Sequence, residues 1–161
     1  MKTLEEQMSI YAAYHRDRRN KATHFIGVPA IVFAILIPMA WVEFGAGVTL
    51  ARGFVAVVLL YYFALDAVLA LATAAMVAAL LYAAEQTASM GTAAGWIGFG
   101  IFFIGGWAFQ LLGHVFEGRK PALMDNLFQI FIAPLFLVAE IFFALGLKSD
   151  VRKKIEARIA G

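Results

Sequence analysis

The sequence predicts an all-α integral membrane protein. The expected form is a polytopic bundle of about four transmembrane helices, a Pro-broken or re-entrant last segment, and amphipathic helices at both termini. Three observations carry that prediction. Hydrophobic residues make up 63% of the 161-residue chain and charged residues 15%, with a mean hydropathy of +0.81, whereas soluble domains are roughly half apolar and a quarter charged. The apolar runs 25–42, 53–84, 95–113 and 127–147 each reach the roughly 18 residues that suggest a membrane helix. These runs are unbroken rather than alternating, so backbone groups in hydrocarbon are satisfied by helices and not by a barrel. No linker, low-complexity tract or repeat divides the sequence, so residues 1–161 read as one membrane-embedded domain.

Residues 3–19 read as an interfacial amphipathic helix, because Leu4, Met8, Tyr11 and His15 recur along one face of a 3.6-residue period. The first 24 residues carry both signs of charge and no early apolar core. They are therefore expected not to be a cleavable signal, and the first span is expected to act as an uncleaved anchor.

Run 53–84 is ambiguous in length. As one helix it would extend about 48 Å, against a hydrocarbon core of about 30 Å; as a hairpin it would turn near Asp66 to Thr73. Charge decides between them. Of 13 Lys and Arg residues, five precede the first span, one (Arg52) lies in 43–52, two (Arg119, Lys120) lie in 114–126, and five follow 147. A hairpin puts the N-terminus, the 114–126 loop and all three histidines on one face, and the positive-inside rule makes that face cytoplasmic.

Pro121 is expected to open the next helix at its first position, with Asp125 and Asn126 in the early turns. Run 127–147 carries Pro134 in its middle, which breaks or kinks a helix. Two half-helices of a re-entrant hairpin would return the basic tail, leaving Arg52 alone on the far side. A kinked full span would strand five basic residues there, so the re-entrant form is preferred. Residues 149–160 read as a second short amphipathic helix with Ser149 or Asp150 as N-cap.

The chain holds no cysteine and three histidines, so any metal must be held by nitrogen and oxygen. His15 and His24 are nine residues apart, about 900° on a continuous helix and hence on opposite faces. They meet only if the chain breaks between them. Asn20 offers that break, since it can end one helix and cap the next, and it lies four residues before His24, close enough to orient it. The blander account makes both histidines interfacial anchors bonded to backbone.

His114 and Glu117 are adjacent at i, i+3, and Trp107 and Gln110 continue the same face backward. Three imidazoles and a carboxylate form a nitrogen–oxygen set suited to iron or zinc. The competing account of Glu117 is a helix-end charge pair with Arg119 or Lys120. Asp66 and Glu140 interrupt apolar runs, where ionisable groups default to functional hypotheses. A turn near the headgroups serves Asp66 equally well, and spacing leaves Glu140 open among protonation, helix capping and support of a ligand. The basic termini suit anionic lipid rather than nucleic acid. Neither GxSxG nor a phosphate loop is present.

Three blocks carry a family resemblance. The first is Tyr11, His15, Asn20, His24, Gly27 and Pro29. The second is Trp107, Gln110, Gly113, His114, Phe116, Glu117, Pro121, Ala122, Asp125 and Asn126. The third is Ala133, Pro134, Phe136 and Glu140. Together they resemble the 2-hydroxy fatty acid dioxygenase family, whose founding fungal member acts in phytosphingosine breakdown. The resemblance implies an Fe(II)-dependent enzyme that uses dioxygen to shorten a 2-hydroxy fatty acid by one carbon. It further implies His15, His24 and His114 as iron ligands, with Glu117 as carboxylate ligand or supporting partner. Asn20, Gln110 and Glu117 are the candidate catalytic residues, and Arg18, Arg19 and Lys120 the cations expected to pair with the substrate carboxylate. The small, alanine-rich chain suggests a bacterial member, placed in the inner membrane, or in the endoplasmic reticulum membrane if the source is eukaryotic. Two other functions remain in competition: a zinc-dependent lipid hydrolase, and a non-enzymatic membrane scaffold or transporter subunit.

Overall fold

Asp66 explains how the longest apolar run is accommodated. The computed structural model describes residues 2–121 and 127–160, among which seven helices follow in order: α1 (Leu4–Ala13), α2 (Arg18–Ala40), α3 (Leu50–Leu65), α4 (Ala67–Ser89), α5 (Thr92–Glu117), α6 (Gln129–Ala144) and α7 (Ser149–Ala160). Asp66 stops α3 in an extended conformation and caps α4, its carboxylate accepting from the amides of Val68 (3.0 Å) and Leu69 (2.9 Å). The chain folds back there, because Arg52 at the start of α3 pairs with Glu85 near the end of α4 at 2.7 and 2.9 Å. The expected hairpin is present. Its turn sits at Asp66 alone, and Thr73 is a buried residue of α4 whose hydroxyl donates to the Leu69 carbonyl.

Helices α2, α4 and α5 are long and apolar enough to cross a membrane, and α3 is a shorter apolar helix. The closest pairing is α2 against α5, antiparallel and seamed by glycine. Gly95 at the start of α5 lies against Trp41 at the end of α2, and Gly113 at the other end lies against Thr23, Asn20 and His24. A Cβ on Gly27 would sit 2.8 Å from the Gly106 carbonyl oxygen. Small residues let the two backbones approach to a distance that larger side chains would forbid.

The last segment differs from expectation. Helix α6 continues through Pro134, and the reversal comes afterwards, with a 114° bend between α6 and α7. Positive φ at Gly146 (75°) and Lys148 (53°) makes that turn. Proline removes only its own N–H from the ladder, and α6 is buried along most of its length by Ile132, Leu135, Phe136 and Leu137, so packing offsets the loss. Both ends of α6 contact the same end of the bundle. Gln129 donates to Gln7 (3.3 Å), Glu140 pairs with Lys21 (2.9 Å), and Lys148 just beyond it pairs with Asp66 (2.6 Å). Helix α6 thus lies across that end instead of spanning.

Helix α7 returns onto α1, where Lys154 meets Glu5 at 3.4 Å and Arg16 donates to the Ile159 carbonyl at 3.3 Å. Ser149 and Asp150 do not cap it; they are its first helical residues, and the Arg152 amide donates to the Lys148 carbonyl. Leu4, Met8, Tyr11 and His15 form one buried face of α1 and its exit, as expected, and the three apolar ones join the core built on α6. The expected helix start with Asp125 and Asn126, like Ala122, falls outside the described residues. Pro121 itself is in irregular backbone.

Candidate metal centre

The chain does break between the first two histidines, but upstream of Asn20. Helix α1 ends at Ala13, and Asp17 caps α2 by accepting from the Arg19 amide at 2.7 Å. Asn20 is instead a fully buried residue in the first turn of α2. Its amide donates to the Tyr14 carbonyl (3.2 Å) and to Glu117 Oε2 (3.0 Å), so the side chain ties α2 to the loop and is not free to cap. It orients His24 through its carbonyl, which lies 2.9 Å from His24 Nδ1.

His15 leaves the loop, His24 the second turn of α2, and His114 the last turn of α5. Their ring centroids are 4.5, 5.1 and 5.2 Å apart, and all three are buried. His15 Nδ1 lies 2.7 Å from the Tyr11 carbonyl, and its ring stacks on Tyr11 at 4.0 Å. With a backbone carbonyl at each Nδ1, His15 and His24 both carry hydrogen there, and their Nε2 lone pairs face one another at 3.1 Å. Two opposed lone pairs at that distance repel unless a cation lies between them. His114 Nδ1 is also buried without a hydrogen-bond partner among the described residues. One nitrogen from each ring lies within 4.8 Å of the others, somewhat wider than the roughly 3.4 Å between nitrogens bonded at tetrahedral angles to one ion. The residues present fit a metal ion held by three imidazoles.

Burial pushes His15 down to about 3, helped by the neighbouring His24 and only partly offset by its bond to the Tyr11 carbonyl. The imidazole is therefore neutral near pH 7 and its lone pair is available to a metal.

Glu117 is not aimed at the imidazoles. Its carboxylate accepts from the amides of Arg16 (2.9 Å) and Asp17 (2.8 Å) and from Asn20. It thereby anchors the segment that carries His15. Arg119, one of the two cations expected to pair with Glu117, donates instead to the Ala13 carbonyl at 3.0 Å.

Two cavities meet at His15. One, of about 260 Å³, is apolar; His15, His24, His114, Trp107 and Gln110 stand toward one end and Leu36 and Val77 toward the other. The second, of about 810 Å³, is a polar cleft lined by Arg16, Arg18, Lys21, Glu140 and Arg152. Arg18 thus lines the cleft that His15 also borders. Arg19 does not: it is tied to Asp17 at 2.8 Å and lies over the Phe116 ring, with its side chain 66% exposed. Lys120 is exposed and adjoins Pro121, which lines the apolar cavity.

Sequence reasoning missed the pairing of Lys21 with both oxygens of Glu140 at 2.9 Å. This pair neutralises an acid within the last apolar run and closes the cleft beside His15. The two residues are 119 positions apart, so no helical spacing announces them. Asp66 takes the blander of its two readings, as turn and cap.

Comparisons with known proteins place the chain among relatives. A family model described as 2-hydroxy-palmitic acid dioxygenase Mpo1-like matches residues 1–145. The 2-hydroxy-palmitic acid dioxygenase MPO1 of Saccharomyces cerevisiae is 30% identical over 164 residues, covering 95% of this chain and 87% of that protein. No solved structure matches.

Proposed function

This chain belongs to the Mpo1-like family, and from that premise we propose that it is an Fe(II)-dependent dioxygenase that shortens 2-hydroxy fatty acids by one carbon. The observation that carries the proposal is a buried triad of imidazoles at the head of an apolar cavity. His15, His24 and His114 would hold the metal. Bound there, Fe(II) supplies a redox-active centre for dioxygen, which zinc, having no redox chemistry, cannot.

The remaining roles belong to the protein. The C1–C2 bond of the hydroxy acid breaks and C2 becomes the new carboxyl carbon, while dioxygen accepts the electrons. The stoichiometry that balances is hydroxy acid plus dioxygen giving the shorter acid, carbon dioxide and water. The apolar walls take the acyl chain and exclude water from the reacting end. Gln110, on the wall one turn before His114, faces the 2-hydroxyl. Arg18 and Lys120 remain the cations for the carboxylate, from the polar cleft and the cavity mouth. Asn20 and Glu117 hold His15 and His24 in place and touch no substrate. All Lys and Arg residues except Arg52 belong to segments at the triad end, which by the positive-inside rule is cytoplasmic. A bacterial inner membrane is the proposed location.

The test is anaerobic purification followed by metal analysis, oxygen uptake with 2-hydroxy fatty acids, and mass spectrometry of the products. Iron, oxygen consumption and an acid shorter by one carbon are expected. Stoichiometric zinc with no oxygen uptake would overturn the proposal.

A further inference from the structure

The apolar cavity has a floor. On α2 its wall runs from His24 through Val28, Ile31 and Ile35 to Leu36. Twelve residues of helix make that depth about 18 Å. Helix α3 descends beside it from Tyr62 to Val55, and α4 contributes Val77. Below this level the core is filled: Leu36, Val55 and Val77 pack with Ile37, Ala51, Ala84 and Ala88 in one buried cluster. Polar side chains of the wall (the histidines, Tyr11, Tyr62, Gln110, Gln129) come from the head side, and the deep wall is aliphatic with Phe54. A volume of about 260 Å³ drawn out to that depth makes a narrow slot.

We propose that Leu36, Val55 and Val77 form a chain-length gauge that selects a long-chain 2-hydroxy acid, the terminal methyl resting on these three side chains while the head lies at the histidines. The inference rests on the function proposed above. The depth suits the long-chain class that the family's name already carries. A single leaflet of hydrocarbon is about 15 Å thick, so the slot takes a chain of the length that builds membrane lipids. A shorter acid leaves the deep aliphatic wall uncovered, at about a fourfold loss of affinity per methylene. A longer one must displace packed side chains.

The test measures binding by iron-loaded full-length protein in nanodiscs, kept free of dioxygen, of a series of saturated 2-hydroxy fatty acids differing by two carbons. It thus reads affinity without turnover. Val77→Phe raises the floor, and the preferred acid shortens by about two carbons while the acid best bound by the unmodified protein weakens about 15-fold. Leu36→Ala lowers the floor and shifts the preference to longer acids. Leu71→Phe, on the exposed face of α4, leaves the preference unchanged. Val77→Ile and Leu36→Val alter the floor by smaller steps and serve if the larger changes unfold the protein. A length preference that survives every floor variant overturns the gauge and leaves the proposed function standing. Failure of the unmodified protein to bind any 2-hydroxy acid overturns the function itself.

Discussion

Gly113 is the position where one methyl group should disable the site. A Cβ there would press on Thr23 Oγ1 and Asn20 Oδ1 more closely than real Cβ contacts allow, and lie 3.1 Å from His24 Nδ1. None of these atoms belongs to a free side-chain end. Thr23 donates to the Asn20 carbonyl at 2.7 Å, Asn20 is clamped by Glu117 and Tyr14, and His24 is held by the Asn20 carbonyl. Relief therefore requires α5 to withdraw from α2 by about 1 Å to restore ordinary contact. Overpacking of this kind costs about 1–3 kcal/mol. The larger effect falls on the metal, because His114 adjoins Gly113 on α5 while His24 stays with α2. Metal sites tolerate shifts of about 0.2 Å in ligand distance, so a displacement several times larger should weaken metal affinity by about 10- to 100-fold, the range seen when ligand-supporting contacts are lost. Competition with a chelator measures the affinity, and thermal melting of the metal-free protein measures the packing cost. Gly105→Ala is the control, since a Cβ there meets nothing within 4 Å and should be neutral or stabilise by up to about 1 kcal/mol. A Gly113→Ala protein with unchanged metal affinity and melting temperature would refute the close-approach argument.

Two further outcomes follow from the same geometry. Glu117→Gln should retain one metal per chain with weakened affinity and cost about 2 kcal/mol, because two backbone amides and Asn20 lose a charged acceptor; complete loss of metal would instead make Glu117 a ligand. Metal-free protein should lose stability on acidification. His15 has an ordinary value of 6.5 and a folded value of about 3, so between those limits the unfolded chain holds the extra proton and stability rises with pH. The slope from this group is about 1.4 kcal/mol per pH unit, with its contribution fully present above about pH 6.5. Melting temperatures that stay flat from neutral pH down through that window would contradict the buried, neutral imidazole.

The features legible in the sequence are those set by composition and by local charge. Run length and the lone Arg52 between two basic clusters foretold the α3–α4 hairpin, because a membrane penalises both excess helix and misplaced cations. The three histidines were legible as a group for the same topological reason. Asn20 and Pro134 were misread, each through a local rule that tertiary contacts override. Asn20 is a good cap in isolation, but here its amide is bound by Glu117 from the far end of α5. Pro134 breaks an isolated helix, but α6 is held by burial on most sides. Spacing places Glu117 beside His114 but carries no information about which donors a carboxylate will find, so it leaves ligand and supporting partner open. Lys21 and Glu140 meet only because α6 lies across the start of α2, a long-range arrangement with no periodic trace.

The alternation of α2 to α5 has a consequence for traffic. Two hairpins return the chain to the end from which it started, so α1, α6, α7, the polar cleft and the triad all belong to one end of the bundle. Under the proposed chemistry, a hydroxy acid would be drawn from one leaflet and its shortened product returned to the same leaflet. The reaction would require no transbilayer flip of an amphiphile, and the lipid asymmetry of the membrane would survive each turnover.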